Sequence, residues 1–118
     1  MSDHLENFSS PIDKEVAQKI QELDLPLIQK HHVRLLTHCL EIFKNIALMN
    51  NGIFPNEKSI KEWCELEAKK INDIEFTGLL FDQMTAAANK LELYSQNISK
   101  NILDFDTDDL VNLVRENH

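Results

Sequence analysis

The chain has 118 residues, which a single domain accounts for, and its 42% hydrophobic residues suffice for a folded core. With only 2 glycines and 3 prolines it lacks the frequent sharp turns that a small sandwich or barrel requires. The 12 basic and 20 acidic residues leave a net charge of −8, which disfavours nonspecific nucleic-acid binding and anionic membrane surfaces, and 2 cysteines make no disulfide scaffold.

Residues 1–9 carry no periodicity and read as a loose arm. Met1-Ser2-Asp3-His4-Leu5-Glu6 lacks the basic stretch and apolar run of a secretory peptide. No apolar run approaches the roughly 20 residues that cross a bilayer. A cytoplasmic protein is expected, with Cys39 and Cys64 as reduced thiols inside helices. Ser10-Pro11 then starts a helix, since proline at the first helical position loses an amide that had no partner. Ile12, Val16, Ile20 and Leu23 share one face of it. Asp24-Leu25-Pro26 interrupts that helix and starts the next.

The second helix is predicted from about 26 to 49, stopped by Asn50-Asn51-Gly52. Its apolar residues cover an arc of roughly 240°, where contact with one neighbour needs only about 100°. It is therefore read as central. Ile53-Phe54-Pro55 forms an apolar loop over the bundle end. Asn56 or Ser59 begins a third helix through about Asn72, with Ile60, Trp63, Cys64, Ala68 and Ile71 as its stripe.

Asp73 or Thr77 opens a fourth helix, about 74–100. There Leu80, Met84, Ala87, Leu91, Tyr94 and Ile98 advance at the spacing of a coiled-coil seam. Ala86-Ala87-Ala88 in its middle admits a close backbone approach. Asp104 to Asp109 then leads into a short helix carrying Leu110, Leu113 and Val114. Strand-like alternation is missing, so the expectation is one all-α domain over 1–118, an up-and-down bundle of four to five helices. Residues 104–118 hold five acids and one base. They read as an acidic appendage that keeps the protein soluble or steers a basic partner, and whose removal leaves the core intact.

Three histidines fall in the second helix. His31 and His38 sit at the edge of the apolar arc, near Glu41, where signalling or metal-binding side chains would be presented. His32 sits mid-arc between Ile28, Leu35, Leu36 and Cys39, and Glu67 is similarly framed by Ile60, Trp63, Cys64 and Ile71. Two ionisable groups on two apolar faces point to a buried polar pair, or a pocket, between the second and third helices. The plainer reading is a neutral histidine bonded to a carbonyl, with Glu67 bending outward.

His31 and His38 lie roughly 10 Å apart along the axis, too far to share one ion, and His38 with Glu41 has no second such pair. No metal and no cofactor is expected. Asp104, Asp106 and Asp108 match the first ligands of a calcium loop, but Asp109 replaces the required glycine and Arg115 the bidentate glutamate. That run reads as a helix cap.

His31-His32-Val33-Arg34-Leu35 resembles the motif of histidine phosphotransfer proteins in its basic Arg34, although Leu35 stands where that family has glycine. Glu62-Trp63-Cys64-Glu65 resembles the first carboxylate motif of helical nucleotide pyrophosphohydrolases, without the second motif. No catalytic residue is assigned. The function expected is a non-enzymatic interaction or self-associating module of unassigned pathway. It takes a protein partner or a second copy as a homodimer, with no nucleic acid and no membrane. The alternative is a histidine-based signalling or metal-binding bundle using His31, His32 or His38.

Overall fold

The structure, a computed structural model, describes residues 14–116. The expected loose arm, the Ser10-Pro11 start and Ile12 lie outside them. The fold is all-α, an up-and-down bundle of α1 (Lys14–Gln21), α2 (Leu27–Leu48), α3 (Glu57–Lys70), α4 (Phe76–Ile98) and α5 (Thr107–Glu116), with a 3₁₀ turn at Ile102–Asp104 before α5.

Local chemistry sets the helix ends. Asn56 caps α3, its side chain accepting from the Ser59 amide at 2.9 Å. The Asp73 carboxylate accepts from the Phe76 amide at 3.2 Å, at the start of α4. α2, α3 and α4 each stop at a left-handed residue that is not glycine: Asn51, Asn72 and Ser99, with φ of 57°, 54° and 53°. Beyond α3 the Asp73 amide donates to the Ala68 carbonyl at 3.0 Å and the Asn72 amide to Lys69 at 3.1 Å, a Schellman closure. α2 closes similarly, with the Gly52 amide on the Ala47 carbonyl at 2.8 Å. Gly52 has φ 73°, a conformation that a side chain would strain.

α5 opens on a reciprocal capping box. The Asp106 carboxylate accepts from the Asp109 amide, and Asp109 accepts from the Asp106 amide, both at 3.0 Å. Lys100 Nζ reaches the same Asp109 oxygen at 2.7 Å. Burial opposes ionisation of Asp109, but the bonds from Lys100 and Asp106 outweigh it and hold the carboxyl below its ordinary range. This part of the acidic run is a helix cap, as the missing glycine indicated.

α2 is the central helix. Leu36, Thr37, His38, Cys39 and Leu40 are buried in succession, more than one complete turn, so no side of the helix faces water there. α1, α3, α4, α5 and the 3₁₀ turn all pack against it. α3 and α4 form the most extensive pairing. Most of the α4 seam lies inside: Leu80, Met84, Ala87, Leu91 and Tyr94 are buried, while Ile98 at its end is exposed. At the far end Phe54 is half-buried against Phe43, with ring centroids 5.1 Å apart, so the loop after α2 folds over the bundle as expected while Ile53 stays exposed.

Residues 104–116 are not an appendage. Phe105, Leu110, Val111, Leu113 and Val114 are all buried, and α5 packs along α2 more extensively than α1, α3 or α4 does. Tyr94 and Phe105 meet edge to face at 5.9 Å, Lys44 Nζ donates to the Phe105 carbonyl at 3.0 Å, and Lys19 pairs with Asp108 at 3.4 Å. Net charge misled because it ignores direction. The acids occupy the start and outer side of an amphipathic helix, and the apolar residues occupy its inner side. No helix among the described residues is long and apolar enough to cross a membrane.

Candidate functional site

Alanines in the middle of α4 shape a recess between three helices. An alanine ends at Cβ, so a helix carrying several in a row leaves room beside it unless a neighbour moves in. Ala87 and Ala88 are buried, while Ala86 is exposed. Across from them stand Leu35 and Leu36 of α2 and Leu113 and Val114 of α5. Between these three helices remains a half-open cavity of about 350 Å³. His32 of α2 and Gln83 and Lys90 of α4 supply its polar atoms. Among the described residues no carboxylate lines it, in a chain whose net charge is −8.

The apolar surface continues past the cavity along α4. Leu79 and Leu93 are 64% and 63% exposed, and each lies seven residues from Ala86. Seven residues are almost two turns, so the three align as one stripe.

His32 is half-buried and lines this cavity, whose walls come from α2, α4 and α5 rather than from the second and third helices as expected. Glu67 is not among the lining residues. It is buried on α3, where its Oε1 accepts from Lys70 Nζ one turn further on at 3.0 Å, and its Oε2 has no hydrogen-bond partner. His31 is exposed, its ring 6.4 Å from that of His32. His38 is not the edge residue that the wheel indicated, being only 4% exposed. A wheel measures position against the mean apolar direction, and that measure loses meaning where the helix is covered on every side. Glu41 is half-buried and pairs with Lys44 at 3.6 Å. Among the described residues, no three His, Cys, Asp or Glu side chains converge to hold a metal ion.

Cys39 and Cys64 are buried thiols. Burial pushes Cys64 up to about 12, and the carboxylates of Glu67 and Glu65 push in the same direction. A thiol so protonated is a poor nucleophile at neutral pH.

Residue-type reasoning missed Gln83, Lys90, Leu113 and Val114. The available signal was the run Ala86-Ala87-Ala88, of which Ala86 and Ala87 border the cavity.

Comparison with protein families decides the broader question. The family described as NDH complex assembly factor CRR9 matches residues 12–118. The chain belongs to this family. The match runs through α5, the segment that charge alone had set apart. Membership in the CRR9 family corrects both functional expectations. It replaces a module of unassigned pathway with a family tied to one complex, and it leaves no place for histidine-based signalling or metal binding as the function. Assembly of a complex also implies protein partners. Neither the curated proteins nor the solved structures contain a match to this chain.

Proposed function

We propose that this protein serves assembly of the NDH complex by holding an apolar segment of a partner protein before that segment reaches its final place. The family match over residues 12–118 carries the proposal. The half-open cavity between α2, α4 and α5, together with exposed Leu79 and Leu93, supports it with a surface fitted to transient burial. Most of the α4 seam and the middle of α2 are enclosed, so the surfaces on which self-association was expected are largely used within the bundle. The proposal gives the cavity and its exposed leucines to the partner instead.

Cells lacking the protein test it. Native electrophoresis should show loss of the mature NDH complex with accumulation of subcomplexes, restored by the unaltered chain. Undiminished mature complex in those cells would refute the assembly role.

A further inference from the structure

The cavity and its rim point to a particular chemistry of occupant. A volume of about 350 Å³ lies at the small end of ligand-binding cavities, enough for one or two large apolar side chains. The wall is leucine, alanine and valine, so the inserted part must be apolar. The rim is cationic. Lys90 is exposed, and among the described residues no carboxylate lies within ion-pairing distance of it. Lys58, Lys61 and Lys69 of α3 share this state, whereas Lys19, Lys44, Lys70 and Lys100 are each paired; Lys90 differs from the former in standing beside the cavity. His32 adds a second nitrogen-bearing side chain, and among the described residues no acid lines the recess. In a molecule of net charge −8 this is a place where a carboxylate meets attraction rather than repulsion. The stripe Leu79–Ala86–Leu93 spans fifteen residues of helix, about 21 Å from first to last, with exposed Asp82, Gln83, Asn89 and Lys90 between its apolar positions. That length suits a helix lying along a helix, not a compact small molecule.

We infer that the cavity between α2, α4 and α5 is the docking site for an acidic amphipathic helix of a partner protein, which inserts one large apolar side chain beside Ala86 and sets a carboxylate against Lys90. This inference rests on the assembly reading for the identity of the partner and on the cavity for its chemistry.

Three probes added to the isotope-labelled full chain test it by amide NMR shifts. One is a synthetic helical peptide of about 15 residues, roughly the length of the stripe, with leucines on one face and glutamates beside them. The others are the same peptide with lysines for glutamates, and decanoate. The acidic peptide should shift amides in 32–36, 83–90 and 113–114 and bind about tenfold more tightly than the basic one at low salt. K90E should reverse that preference. A86W should weaken the acidic peptide by about tenfold or more while melting stays unchanged, because position 86 is exposed. Equal binding of both peptides, no binding of either, shifts centred elsewhere, or decanoate binding where the peptides do not would each overturn the assignment. If cells lacking the protein assemble the complex normally while the acidic peptide binds here, the assembly reading fails and the docking site stands. If assembly is lost but the peptide does not bind here, the reverse holds.

Discussion

The Asp109 carboxylate receives Lys100 Nζ at 2.7 Å and the Asp106 amide at 3.0 Å. Burial alone would raise its pKa, yet those bonds leave it depressed, so the ionised form is favoured more in the folded chain than in the unfolded one. A depressed carboxylate contributes stability at pH above its unfolded value. That stability begins to fade near the ordinary 3.8 and is gone once pH has fallen through the folded value. Urea unfolding at a series of acid pH values should show this limb, and D109N should flatten it. D106A, which removes the other half of the capping box, should lower stability by about 1 kcal/mol at neutral pH. At this scale the sequence was readable for caps, because a cap depends on neighbours within a turn. Asn56, Asp73 and the stop at Asn51-Gly52 all lie within a residue or two of their expected places. His38 was not readable, because its burial depends on helices far away in sequence.

Helices α2 and α4 were legible because long amphipathic periodicity has one interpretation and short breakers bound it. α5 is the instructive element. Its pattern of Leu110, Leu113 and Val114 was seen, but the surrounding acids were weighed more heavily than three apolar side chains. Burying an aliphatic side chain contributes about 1.5–3 kcal/mol, whereas an exposed charge contributes at most about 1. Phe105, Leu110, Val111, Leu113 and Val114 together therefore match the net stability of a whole domain, about 5–15 kcal/mol. A chain ending at Asp104 should fail to melt cooperatively by circular dichroism. L110A alone should cost about 2–5 kcal/mol, read by urea unfolding, since Leu110 is almost completely enclosed. A truncated chain that melts like the full one would return this segment to the solvent.

For the molecule as a whole, 20 acids against 12 bases oppose the approach of two copies, and most of the seam that suggested pairing is enclosed in the bundle, Ile98 excepted. Light scattering at micromolar concentration should give 13.7 kDa, unchanged on tenfold concentration. A doubled mass would transfer Leu79 and Leu93 from the partner to a second copy. The candidate site was largely hidden at this scale. Its wall joins residues 32–36, 83–90 and 113–114, and no local spacing links segments so far apart. Its chemistry is also that of ordinary core residues, without a nucleophile or ligand set to mark it in a sequence. Only His32 was singled out beforehand, and for a different neighbour.

The position of α5 also orders events during synthesis. The cover for α2 begins 59 residues after α2 ends. At about 5–20 residues per second the ribosome takes several seconds to deliver it. Throughout that interval α2 lacks the helix that packs on it most extensively, and the recess beside Ala86 lacks Leu113 and Val114. The nascent chain thus goes through a period in which part of the apolar surface of α2 is uncovered. On the proposed role, the recess is complete for a partner only once α5 has closed over it.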